Sequence, residues 1–199
     1  PCYNEAKNIE RLCQEVDQVF KKIAVPYELI LVNDGSQDDT LAVAYSQIKR
    51  YPIKIVQLSR NYGKEIALSA GIDHAEGDVT VIIDADLQHP PVFIEDFYKH
   101  WQAGYDMIYG YRVSRNDEPF LKRCFVKFFY GLMNIGQTRK ITPNTLDFRM
   151  MDKKIITAMQ AMPESNRFMK GLYSWVGFTN IGIPVDIPEI GRASCRERV

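Results

Sequence analysis

Residues 78–90 read Asp-Val-Thr-Val-Ile-Ile-Asp-Ala-Asp-Leu-Gln-His-Pro, and this stretch constrains the fold more than any other. Val79 to Ile83 form an unbroken β-branched run, which reads as a short buried strand. Asp84 and Asp86 stand at its carboxyl end, one residue apart. Ligands of open α/β sheets bind outside the carboxyl ends of strands. Carboxylates suit hard divalent cations, and Mg²⁺ is usually held by one or two of them together with substrate phosphates. A bare Asp-x-Asp also fits a turn with two solvated acids. The strand before it favours a place where a metal ion meets a nucleotide diphosphate.

Strands and helices alternate along the chain. Apolar residues at Ile9, Leu12, Val16, Val19 and Phe20 predict a helix over 8–23. A strand is predicted over 28–32, a helix over 38–50 with acids in its first turn, and a strand over 53–58. A helix over 64–75, the strand over 79–83, a Pro-opened helix over 91–101 and a short strand over 107–109 follow. The order predicts a mostly parallel sheet covered by helices on both faces, in one α/β domain.

The 199 residues are 46% hydrophobic and 25% charged, enough for one domain with a real core. The formal net charge is zero, which gives a nucleic-acid partner no electrostatic support. Cys2, Cys13, Cys124 and Cys195 show neither a CxxC pair nor metal-ligand spacing, as expected of a reduced setting. No signal peptide is visible, and no apolar run reaches the roughly 18 residues of a membrane span. Residues 190–199 lack apolar periodicity and back-translate to a sequencing-adapter sequence read in frame. They are set aside as an expected artefact, leaving 1–189 as the domain.

The second half has a different flavour. Residues 120–135 are rich in Phe, Tyr, Leu and Met, with Lys122, Arg123 and Lys127 among them. Both an interfacial membrane helix and a core helix with snorkelling cations fit that composition. Residues 168–178 repeat it.

Further motifs stand at other strand ends. Pro1-Cys-Tyr-Asn-Glu5 precedes the first helix. Val32-Asn-Asp-Gly-Ser36 follows a strand, where Gly35 permits a tight turn and Asp34 could accept hydrogen bonds from a base or ribose. Taken alone, the motif fits a plain strand-to-helix turn capped by Ser36 or Asp38 slightly better. Taken with Asp84-Ala-Asp86-Leu-Gln88, these motifs resemble the family 2 glycosyltransferases of GT-A, Rossmann-like fold, from Pro1 to about Ile187. The stretches 59–65, 70–75, 147–149 and 166–171 resemble the branch that transfers sugars to polyprenyl phosphate, the bactoprenol glucosyltransferases and dolichol-phosphate-mannose synthases.

The resemblance implies an inverting, metal-dependent hexosyltransferase. Its donor would be a nucleotide-diphosphate sugar, UDP-glucose first. Its acceptor would be undecaprenyl phosphate, at the cytoplasmic face of the plasma membrane. Pro1, Tyr3 and Glu5 would line the nucleoside pocket, with Asp34 on the base or ribose and Asp84 on the nucleotide. Asp86 and Gln88 would hold Mg²⁺ or Mn²⁺. Arg112, Arg149 and Arg167, with Lys122 or Arg123, would grip phosphates. Asp147 is the candidate base or acceptor-orienting group, and an ion pair with Arg149 is its other reading. His89 fits a loop residue better than an acid–base group, and His74 and His100 read as structural.

Asn33 stands where many relatives carry Asp, and Tyr62 where Phe is common. The family's first central strand is expected before Pro1, and membrane helices after Ile187. Without the first strand its neighbours lose ladder partners, so marginal folding is expected. Two further readings stay open: a family 2 enzyme acting on a sugar or polysaccharide hydroxyl, and a non-catalytic nucleotide-sugar binder. A homo-oligomer is left open as well.

Overall fold

The computed structural model describes residues 1–112, 145–162, 173 and 177–185. The expected aromatic helix over 120–135, the stretch over 168–172, residues 190–199 and the cations Lys122, Arg123 and Arg167 lie outside them.

Helix α1 (Ala6–Ile23) buries Ile9, Leu12, Cys13, Val16 and Val19, the stripe that its sequence spacing dictates. It stops where Ala24 turns left-handed, with Lys21 and Lys22 in the last turn, where the helix dipole favours cations. Strand β1 (Leu29–Asn33) pairs in parallel with β2 (Ile53–Gln57), joined through α2 (Thr40–Gln47). Helix α3 (Lys64–Asp73) leads to β3 (Val79–Ile82). The Pro-rich loop enters α4 (Ile94–Gln102) through a 3₁₀ turn at Pro91–Phe93, so the helix begins three residues later than expected. Strand β4 (Met107–Tyr111) follows, then β5 (Thr145–Asp152), α5 (Lys153–Gln160) and β6 (Asn180–Pro184).

The α/β class with helices on both faces is present, but the sheet is mixed. In the order β3-β5-β4-β6, β5 runs antiparallel to both β3 and β4, while β4 and β6 are parallel. Neither β5 nor α5 was among the sequence expectations. Phe148 and Met150 of β5 pack with Val19, Ile94, Phe97 and Ile108 on the α1/α4 side. Met151 packs with Leu68, Ile72, Ile155 and Met159 on the α3/α5 side.

Strands β1 and β3 belong to separate sheets and do not pair, which leaves a gap between them. A cavity of about 330 Å³ fills it, walled by Leu29, Ile30 and Val32 of β1, Val79 to Ile83, and apolar residues of α1, α3 and α4. At its end Cys2 makes one parallel rung with β1. The Cys2 N–H donates to the Val32 carbonyl at 2.8 Å, and the Asp34 N–H donates to the Cys2 carbonyl at 2.9 Å.

Candidate active site

The carboxyl ends of β1 and β3, with the loop after β2, meet at one rim, and backbone amides stitch them together. Asn4 donates its N–H to Ser36 Oγ at 3.0 Å, and its Oδ1 accepts from the Gln37 N–H at 2.9 Å. Glu5 donates its N–H to Thr40 Oγ1 at 2.8 Å. The Asp34 carboxylate is buried and accepts from two amides of the next loop, Tyr62 at 2.8 Å and Gly63 at 2.9 Å. In this structure the group expected on a base or ribose therefore anchors the 59–63 loop. Gly35 makes the approach possible: its φ is +66°, and a Cβ there would lie 2.4 Å from the Arg60 carbonyl carbon.

That loop delivers Lys64, the first residue of α3. Its ammonium lies 2.8 and 2.9 Å from the two oxygens of Asp84 and 2.7 Å from Asp147 Oδ2. Burial alone would lower the Lys64 pKa. The Asp84 charge and the hydrogen bonds to Asp147 and Asp84 outweigh it, and the pKa is raised.

Beyond β3 the chain alternates. Ala85, Leu87 and His89 are buried, whereas Asp86 and Gln88 are exposed and Asp84 is partly so. The backbone reverses at Leu87, whose φ of +56° is uncommon for a side chain of this kind. Asp86 Oδ1 accepts the Gln88 N–H at 3.1 Å. The outward groups offer only carboxylate and amide oxygens, a donor set that fits Mg²⁺ or Mn²⁺. Among the described residues no three His, Cys, Asp or Glu side chains form a metal cage. A divalent ion here would take its remaining ligands from phosphates and water.

His89 packs under the loop, its ring 5.9 Å from that of Phe148, and burial lowers its pKa. Arg112 is exposed just past β4. Arg149, expected at a phosphate, is instead 3% exposed. Its guanidinium lies 3.5 Å from the Tyr173 ring centroid and donates to the Leu146 carbonyl at 2.8 Å. Burial pushes its pKa down. Pro1 lines the gap between β1 and β3, while Tyr3 and Glu5 are partly exposed beside the stitched loops.

Lys64 was not among the expected site residues. Its signal was present but weak: a lysine following a glycine at the opening of a helix. Asp147 found a partner other than Arg149, because Lys64 arrives from a loop 83 residues away in sequence.

The family model for glycosyl transferase family 2 matches residues 1–159. An uncharacterized glycosyltransferase of Synechocystis sp. is 48% identical over 180 residues, covering 89% of this chain and 56% of the relative. A bactoprenol glucosyl transferase of Shigella phage SfV is 38% identical over 178 residues, covering 89% of this chain and 58% of the relative. The chain thus spans a little over half the length of these curated relatives. Glucosyl-3-phosphoglycerate synthase from Mycobacterium tuberculosis, solved with UDP, superposes with a TM-score of 0.62 at 18% identity, covering 94% of this chain and 69% of that one. A mannosyltransferase from Pyrobaculum calidifontis, solved with GDP-Man and Mn²⁺, gives 0.58 at 20% identity, covering 92% and 53%. Both likenesses concern the fold.

Proposed function

Because this chain belongs to glycosyl transferase family 2, we propose that it moves a sugar from a nucleoside diphosphate sugar to a polyprenyl phosphate, at the cytoplasmic membrane face. UDP-glucose is the first donor and undecaprenyl phosphate the first acceptor to test. The reading is supported by relatives named bactoprenol glucosyl transferase at 38% identity over most of the chain. The observation that carries the chemistry is the rim itself, with Asp86 and Gln88 turned outward beside the Lys64-bridged carboxylates Asp84 and Asp147.

Asp86 and Gln88 would hold Mg²⁺ or Mn²⁺, which when bound offsets charge on the leaving diphosphate. Asp84 faces the nucleotide, with Pro1, Tyr3, Glu5 and the Asp34 turn forming the nucleoside side. A lipid phosphate is already ionised near neutral pH and needs little help losing a proton. Asp147, held by the Lys64 ammonium, therefore suits orientation better than proton removal. The acceptor's charge still needs an offset close to a diphosphate. Exposed Arg112 suits that task with its planar fork, together with Lys122, Arg123 and Arg167. Arg149 stands beneath the site, a fixed buried charge under Asp147. In-line attack on C1 inverts the anomeric centre.

The gap between β1 and β3 fits a central parallel strand entering Pro1 from its amino side. The offset of the Cys2–Asn33 rung would set the preceding residues opposite Leu31, Ile30 and Leu29.

The test uses the full-length protein in membranes, with radiolabelled UDP- and GDP-sugars, Mn²⁺ and undecaprenyl phosphate. Label from one donor enters the organic phase and disappears with chelator or in Asp86→Asn. Metal-dependent release of nucleoside diphosphate without lipid label, given a sugar hydroxyl instead, overturns the acceptor assignment. No release with any acceptor leaves the non-catalytic binder.

A further inference from the structure

We propose that Lys64 is a positioning residue that exchanges partners. With no donor present it ties Asp84 to Asp147. When a divalent cation and a diphosphate occupy the rim, it releases Asp84, keeps Asp147, and turns its freed N–H groups to the incoming phosphate oxygens. This rests on the glycosyltransferase reading of the rim, but not on the identity of the acceptor.

Strand β3 pairs Val79 with Asp152 and Ile82 with Arg149, and the same antiparallel step, carried two residues past the last pair, sets Asp84 across from Asp147. Like charges directly opposed on two strands destabilise the pair. Lys64 resolves that conflict, and it does so from a third element.

An ammonium has three N–H donors. The two Asp84 oxygens, at 2.8 and 2.9 Å, lie close enough together to share one of them, and Asp147, at 2.7 Å, takes another. Two of the three are committed to carboxylates while both contacts last. A divalent ion near Asp84 and Asp86 repels the ammonium and competes for the same carboxylate. The Asp84 contacts are the ones it disturbs, because only Ala85 separates Asp84 from Asp86, whereas Asp147 lies on another strand. The Lys64 side chain is 41% exposed, so its stem has room to move. Its backbone does not: the Tyr62 and Gly63 amides just before it are pinned by buried Asp34. A fixed root with a free tip is what partner exchange requires.

The test measures binding on the full-length protein without acceptor, using MnCl₂ alone and then MnCl₂ with UDP or GDP. Free Mn²⁺ is read by electron paramagnetic resonance and the nucleotide by calorimetry. In Lys64→Met the competing ammonium is gone, and Mn²⁺ alone binds about tenfold tighter. With the nucleoside diphosphate present the sign reverses, and its affinity falls because the freed amine no longer meets the phosphates. Lys64→Gln, which keeps the length and some hydrogen bonding, serves if the Met variant melts early, and it shifts both quantities in the same opposite senses. Parallel loss of both affinities, or no change in either, overturns the proposal. A merely structural lysine gives one of those two results. Because no acceptor is added, failure of the lipid-phosphate reading leaves the outcome intact.

Discussion

Asp84 and Asp147 stand two residues past the last β3–β5 backbone pair, where the register sets them opposite each other, and the Lys64 ammonium holds both. Two carboxylates 63 residues apart in sequence thereby become one anionic unit whose charge a single lysine governs. The strand that brings Asp147 there also buries Arg149 beneath it, so the rim rests on a charged floor.

The Asp86→Asn variant keeps the size of the side chain and removes its charge. Loss of one group that stabilises developing charge typically costs about a hundredfold or more in rate. Nucleoside diphosphate release by this variant, assayed with Mn²⁺ at saturating donor, should fall by that order while the melting temperature stays near wild type. A rate near wild type would remove Asp86 from the metal site.

Gly35→Ala puts a methyl group where the Arg60–Asn61 backbone already lies, at a left-handed φ. The two loops must part, at a cost of about 1–3 kcal/mol. The melting temperature should drop, and the donor KM should rise more than the acceptor KM, because the Asp34 anchor and the Lys64 root move together.

Arg149→Met separates support from chemistry. Burial penalises the Arg149 charge, and an apolar side chain of similar length carries no such penalty. Arg149 Nε has no hydrogen-bond partner among the described residues, which lowers the cost of losing it. Thermal stability should therefore be kept or gained. Turnover should fall nonetheless, since Asp147 loses the charge beneath it. A large loss of stability would show that the Tyr173 stacking outweighs the desolvation of the charge.

Acid sensitivity should centre partly on Asp106. Burial would raise its pKa, but hydrogen bonds from Lys154 and from the Thr179 hydroxyl and amide lower it below 3.8. A depressed carboxylate pKa gives stability that is fully present above the ordinary value and is lost as pH falls through the lowered one. Melting temperature followed below about pH 4 should therefore decline less steeply in Asp106→Asn than in wild type, from a lower starting point. Parallel curves would refute this.

The gap beside β1 predicts a gain. Extending the chain before Pro1 by five apolar β-branched residues should raise the melting temperature by about 5 °C or more, as ladder hydrogen bonds and apolar contacts form. An equally long Gly-Ser extension should not. Equal effects from both would show that the gap does not take a strand.

Much of this protein is legible in local pattern. The five-residue β-branched run before Asp84 and Asp86 marks a strand and the candidate site at its end, because an unbroken apolar run and oxygen donors at a carboxyl edge are written in consecutive residues. The stripe Ile9, Leu12, Val16 and Val19 marks α1 for the same reason. Strand β5 was not legible: Leu146, Phe148 and Met150 do alternate with Asp147, Arg149 and Met151, but a charged pair on one face masks the signal. Its antiparallel insertion between β3 and β4 is a choice of sheet register, decided by non-local pairing. Tertiary structure alone assigned Asp34 to the loop amides, buried Arg149 against Tyr173, and gave Asp84 and Asp147 a common lysine. Sequence determines which groups exist and which local conformations they favour. Which charge meets which depends on strands and loops brought together across dozens of residues, where desolvation and like-charge repulsion have no local signature.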